Sequence, residues 1–168
     1  KIFRKKFQMK ILITGSTGFL GKSLIPQIDK KSNNLYFILR KKRNGKNNFY
    51  CPLENIKKVK YITNLLKPDV IINIAAEVNF KKKTKNMYKV NALVPKIFSQ
   101  YCKKNEKYFI HVSGTLVNGI HSLYNHETKF KPISHYGKSK LKAEILIKKI
   151  NCKHAILRFG GIYGKNGP

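Results

Sequence analysis

The chain has 168 residues, room for one domain with a real hydrophobic core and too few for two ordinary ones. Its 42% apolar and 26% charged residues exclude a disordered chain, and no apolar run approaches the roughly 18 residues of a membrane span. The 36 Lys+Arg against 7 Asp+Glu give +29, a balance that attracts polyanions; yet 32 of the cations are Lys and only Arg4, Arg40, Arg43 and Arg158 are Arg. Together with 20 Ile and 16 Asn, that skew reads as AT-rich codon bias rather than a base-reading surface, so no nucleic-acid or membrane partner is expected.

The first methionine is Met9, and residues 1–8 read as a basic N-terminal extension before a single domain over 9–168. Ile11-Leu12-Ile13 is a buried-strand pattern, and a helix is predicted over about 19–30, with Pro26 expected to kink or shorten it. Leu35–Arg40 reads as a second strand, followed by a turn-rich stretch at 44–48, and Val59–Ile62 as a third strand. Asp69 to Ala76 is the most continuous apolar strand. A helix over about 84–104 follows, interrupted by Pro95; then come a strand at Tyr108–Ser113, a helix at Tyr136–Ile150 and a strand at His154–Arg158. Apolar strands that alternate with helices belong in a parallel sheet covered on both faces, so the predicted fold is a doubly wound α/β domain.

Two motifs carry chemistry. Thr14-Gly15-Ser16-Thr17-Gly18-Phe19-Leu20-Gly21 lies directly after the first strand and opens a helix. Gly15 allows the sharp turn, Gly18 lets a pyrophosphate approach the backbone, and Gly21 lets helix and strand pack closely, which together predict dinucleotide binding. The second strand ends in Leu39-Arg40-Lys41-Lys42-Arg43 with no carboxylate before Glu54, which favours the 2′-phosphate of NADP, with NAD second. Tyr136-Gly137-Lys138-Ser139-Lys140 places a phenol and an ammonium on one helix face. The cation is expected to lower the phenol pKa and make Tyr136 a usable general acid or base. About 1.7 such Tyr–Lys pairs arise by chance in this composition, so its position after a hydroxyl-rich strand end is what gives it weight.

Cys51, Cys102 and Cys152 are odd in number and widely spaced, which argues against disulfides and zinc and for a reducing, cytoplasmic setting. His111, His121, His126, His135 and His154 show no metal spacing, so no metal site is expected. Lys81–Lys85 reads as an exposed face or loop.

In order along the chain these segments resemble the extended short-chain dehydrogenase/reductases, the NAD-dependent epimerase/dehydratase family. Besides the glycine turn, the likeness rests on Pro68-Asp69-Val70-Ile71-Ile72-Asn73-Ile74-Ala75-Ala76, on Asn91, and on His126-Glu127 with Pro132 through Glu144. Leu157-Arg158-Phe159-Gly160-Gly161-Ile162-Tyr163-Gly164 completes it. The resemblance implies a Rossmann-type sheet in which Gly15, Thr17, Gly18, Phe19, Leu20 and Gly21 line the pyrophosphate and Arg40 meets the adenosine ribose. Ala75, Ala76, Asn91, Phe159 and Ile162 would border the cofactor, with Phe159 to Ile162 near the nicotinamide. Tyr136 would exchange a proton with a hydroxy or keto substrate such as a nucleotide sugar while hydride moves, and Lys140 would hold the nicotinamide ribose.

Two departures stand out. The family places a Ser or Thr where this chain has Gly114, which leaves Ser113 or Thr115 as the hydroxyl that polarises the substrate; Ser113 is the expected one. Family members also continue well past this length, so the chain reads as the cofactor-binding part, with most of the substrate-binding part absent. A non-catalytic cofactor-sensing or partner-binding module is the alternative, and a nucleic-acid binder a third on charge alone. A homodimer is left open.

Overall fold

A computed structural model describes residues 8–119, 129–164 and 167. Six parallel strands form one sheet: β1 (Met9–Thr14), β2 (Asn33–Leu39), β3 (Asn48–Tyr50), β4 (Val70–Asn73), β5 (Tyr108–Gly114) and β6 (Lys153–Phe159). Their order is β3-β2-β1-β4-β5-β6. The direction of winding reverses between β1 and β4, and a crevice opens there beyond the carboxyl ends of the strands.

Side chains alternate across the sheet and divide the core in two. Leu12 and Ile71 face one side, where they meet α2 (Ile56–Leu66), α3 (Val94–Lys104) and α4 (His135–Ile150) through Val59, Ile62, Phe98 and Ile147. Ile11, Ile13 and Ile72 face the other side and pack against Leu24 and Ile28, in and after α1 (Phe19–Leu24). The doubly wound parallel sheet expected from the strand pattern is the observed architecture. Cys51, Cys102 and Cys152 are buried free thiols in the larger core.

Two elements differ from expectation, and the first helix is shortened at Pro26 as expected. Val59–Ile62 is helical, not a strand: Asn55 caps α2 by accepting from the Lys58 N–H at 3.1 Å, and Val59, Ile62, Thr63 and Leu66 are buried at helical spacing. The third strand is instead Asn48–Tyr50, inside and just after the stretch read as a turn; it adds to the sheet edge beside Phe37–Leu39. The first helix stops at Leu24, and Pro26 sits in a single 3₁₀ turn, Ile25–Gln27.

Pro95 produces a different adjustment. Proline has no N–H and its ring clashes with the carbonyl four residues back. Here the preceding turn, Lys89–Leu93, opens into a π-helical turn in which the Val94 N–H bonds to Lys89 O. The helix therefore continues through Pro95 into α3.

Candidate active site

A cleft of about 710 Å³ lies at the sheet's carboxyl edge over the β1/β4 crevice. It is lined by the glycine turn, the end of β2, the segment after β4, the end of β5, the start of α4 and the segment after β6. Two of the glycines here are sterically required. Gly15 has φ +77°, and a Cβ there would lie 2.6 Å from Ala75 N. A Cβ on Gly21 would strike Gly15 O and approach Ser16 Cα to 2.7 Å. The turn is closed by the Gly18 N–H donating to Gly15 O at 3.1 Å.

The segment after β4 is held by side chains on two sides. On the sheet side, the Ala75 N–H donates to Thr14 Oγ1 at 3.3 Å, and Thr14 donates onward to Asn73 Oδ1 at 2.6 Å. Asn73 Nδ2 then faces His111 Nδ1 at 3.1 Å. Because Asn73 donates here, His111 carries its proton on Nε2, which is buried without a partner. Thr14, Asn73 and His111 occupy one row of the sheet register. Burial pushes His111 well below the usual imidazole range, and the nearby Lys140 ammonium adds to the effect.

On the helix side, Asn91 clamps Glu77. Its Oδ1 accepts from the Glu77 N–H at 2.8 Å, while Nδ2 donates to Glu77 O at 2.9 Å and to Ser139 Oγ at 3.0 Å. Asn91 is thus buried behind the cleft wall and outside the lining.

Tyr136 and Lys140 both reach the cleft from the first turns of α4. Ser134 caps this helix by accepting from the Gly137 N–H at 3.0 Å. Gly137 lets the helix start press against the turn after β5, since a Cβ there would lie 2.5 Å from Leu116 O. Lys140 is 2% exposed, and its Nζ donates to the Val112 carbonyl at 2.5 Å. Burial lowers Lys140 to about 8, partly opposed by Glu144. Tyr136 departs from expectation: burial pushes its phenol up, with no lowering from Lys140. The ammonium is directed at β5, and the edge of Phe80 packs on the Tyr136 ring at 5.4 Å between centroids. Tyr136 is therefore protonated at neutral pH and suited to donate.

Ser113 borders the cleft, but its hydroxyl donates to Glu144 Oε1 at 2.6 Å in a buried contact. Gly114 lines the cleft without a side chain, although a Cβ there would meet nothing closer than Phe159 O at 3.5 Å. Thr115 also lines the cleft. Thr17, Gly18, Phe19, Leu20, Ala75, Ala76, Phe159 and Ile162 all lie along it, with Arg40 on the rim beside Leu39 and Glu54. The sequence reading missed Leu53, Glu77, Val78 and Phe80 in the wall. Phe80 was masked by the adjoining lysines, although an aromatic residue at the head of a charged run is itself a signal. His126 and Glu127 lie outside the described residues. Among the described residues no cluster of His, Cys, Asp and Glu is arranged to hold a metal ion, and no helix is long and apolar enough to cross a membrane.

A parallel sheet in this order, with a glycine turn at its reversal point and a Tyr–Lys pair over the same crevice, defines a Rossmann-type domain of the extended short-chain dehydrogenase/reductase class. Within that class the chain belongs to the family described as RmlD substrate binding domain, which matches residues 9–168. A dTDP-4-dehydrorhamnose reductase of Aggregatibacter actinomycetemcomitans is 29% identical over 163 residues, 94% of this chain and 53% of the relative. A probable low-salt glycan biosynthesis reductase of Haloferax volcanii is 25% identical over 169 residues, 95% of this chain and 55% of the relative. The crystal structure of dTDP-4-dehydrorhamnose reductase from Bacillus anthracis in complex with NADP superposes with a TM-score of 0.81 at 24% identity, over 96% of this chain and 57% of that one. The chain thus spans about half the length of the curated relatives it matches.

Proposed function

We propose that the chain forms the NADP(H)-binding and proton-donating part of a reductase acting on a keto sugar carried by a nucleotide. One observation carries this reading: the glycine turn, Arg40, Tyr136 and Lys140, drawn from distant parts of the chain, all line a single cleft. Its volume lies within the usual range for small-molecule and cofactor sites. Gly15 and Gly18 leave a bare-backbone cradle at the β1/β4 crevice that suits a pyrophosphate, while Gly21, buried outside the lining, lets the helix start pack on the turn. The relatives named as reductases of a dTDP-linked sugar, and the neighbour crystallised with NADP, support the same reading.

When bound, the nicotinamide supplies the hydride. The remaining roles belong to this chain. Gly15, Thr17, Gly18, Phe19 and Leu20 cradle the pyrophosphate, while Ala75, Ala76, Phe159 and Ile162 flank the bound cofactor and exclude water. Lys140 uses one of its three donors on Val112 O and keeps two for the ribose. Tyr136 donates its phenolic proton to the substrate carbonyl oxygen. Asn91 acts from behind, by fixing Glu77 and the segment it belongs to.

NADPH titration of the chain, followed by cofactor fluorescence, tests the binding half. Failure of both NADPH and NADH to bind the folded chain overturns the reading. Tyr136→Phe should leave NADPH affinity within about twofold while cutting turnover of a dTDP-4-keto sugar at least 100-fold. Arg40→Gln should weaken NADPH about tenfold or more and leave NADH almost unchanged, because only NADPH carries the 2′-phosphate. A cofactor-binding module without turnover is the second reading. It is favoured by the absence of a hydroxyl at Gly114 and by the engagement of Ser113 with Glu144.

A further inference from the structure

Glu144 is 1% exposed, lies one helical turn beyond Lys140, and belongs to none of the roles above. Residues four apart share a helix face, and both are buried on α4. The Glu144 carboxylate is fixed from two strands. Ser113 of β5 donates to Oε1 at 2.6 Å; Arg158 of β6 donates from Nε to Oε1 at 3.0 Å and from Nη2 to Oε2 at 2.6 Å. A buried carboxylate held this firmly is a fixed negative charge beside the most buried lysine of the cleft.

We infer that Glu144 is a positioning residue for Lys140: its carboxylate, oriented by Ser113 and Arg158, keeps the Lys140 ammonium charged inside the protein. This gives Ser113 a role other than the one expected of it. Its hydroxyl orients the charge that supports the lysine, without touching the reacting oxygen. Arg158 is the counterweight, since its cation stabilises Glu144 and at the same time offsets part of the field that Lys140 feels.

The other groups around Lys140 do not supply that charge. On β5, His111 is buried and neutral and disfavours the ammonium when it gains a proton. On α4, Tyr136 is a phenol that burial keeps protonated. Glu77, after β4, is a carboxylate of the cleft lining, but the negative charge that acts on the Lys140 ammonium is that of Glu144. Arg158 on β6 is the remaining cation, engaged with Glu144.

The inference rests on the proposed function only for what the charged lysine is used for; its test does not depend on turnover. The ¹⁵Nζ signal of Lys140 is titrated in the lysine-labelled chain and assigned by its loss in Lys140→Met. Glu144→Gln keeps acceptors for Ser113 and Arg158 but removes the charge, and should lower the Lys140 midpoint by about one unit, a tenfold change in its ionisation. Glu144→Asp should restore most of that shift. Arg158→Gln should move the midpoint upward, by about half a unit. Opposite signs for the two variants are what a purely structural role cannot produce, since both would then simply loosen the helix. If both leave the midpoint within about 0.3 unit of the parent, or move it the same way, the inference falls. Arg158 is partly exposed, so its variant carries the test alone if Glu144→Gln fails to fold. A Lys140 midpoint that shifts as stated while NADPH affinity at pH 7.5 stays unchanged upholds the inference and counts instead against the ribose-holding role of Lys140.

Discussion

Replacing Lys140 by methionine is expected to make the chain more stable and to disable it. The side chain is 2% exposed, and burial brings its folded-state pKa from 10.5 to about 8. Below pH 8 the ammonium is charged in both folded and unfolded chains, and holding it in the interior costs about 3 kcal/mol. Between about 8 and 10.5 the unfolded chain binds the proton and the folded one does not, so stability rises with pH across that window. Methionine has similar bulk and no charge. It should therefore raise the urea midpoint at pH 7 by the equivalent of about 1–3 kcal/mol, the loss of the bond to Val112 O accounting for the range. It should also abolish the rise in stability between pH 8 and 10.5. NADPH affinity should fall at least tenfold if Lys140 holds the nicotinamide ribose as proposed. Urea titrations at pH 7 and pH 10 with cofactor fluorescence read all of these effects. A variant less stable than the parent at pH 7 would show that Lys140 is not a strained group.

The second large effect lies at the glycine turn, where two glycines eight atoms' reach from one another do different work. A Cβ on Gly21 collides with the backbone of Gly15 and Ser16, neither of which can yield without reshaping the turn. Gly21→Ala should cost about 3 kcal/mol and remove NADPH binding with it. A Cβ on Gly18 meets only Gly15 O, at 3.4 Å, an ordinary contact. Gly18→Ala should therefore leave the melting temperature within about 3 °C of the parent while still weakening NADPH, because the methyl stands where the pyrophosphate must approach. Thermal melts by circular dichroism with and without NADPH separate the two. Equal destabilisation by both substitutions would contradict the packing described for this turn.

The strands that were legible in the sequence are the central ones. Ile11–Ile13 and Val70–Ile72 are apolar on consecutive positions, and Phe109–Val112 is so except at His111, because both faces of the sheet are covered along them. Asn48–Tyr50 was not legible, since a three-residue edge strand with one neighbour is too short to show a period and begins inside a turn-rich stretch. Val59–Ile62 misled because a four-residue stretch with three apolar residues fits either period; the deciding features were Asn55 before it and Leu66 after it. In the site, local motifs exposed the glycine turn, Tyr136 and Lys140. The engagement of Ser113 did not show, because its partner Glu144 lies 31 residues away and meets it only when α4 docks on β5. The direction of the Tyr136 shift was likewise hidden, because it depends on where the Lys140 ammonium points and on Phe80 arriving from a lysine-rich segment. The +29 charge proved uninformative about the fold, and Arg40 and Lys140 are the basic residues of the cleft lining.

The wide turn before Pro95 has a consequence for how this helix tolerates changes in length. A π turn holds one residue more than the α-helical turn it replaces, so it behaves as an insertion accommodated without breaking the helix. Regular α winding through this turn with no residue removed would rotate everything upstream by about 100° relative to α3. Asn91 would then swing away from Glu77 and Ser139, and the cleft wall would lose its clamp although no cleft residue had been touched. The wide turn thus sets where Asn91 meets the cleft wall.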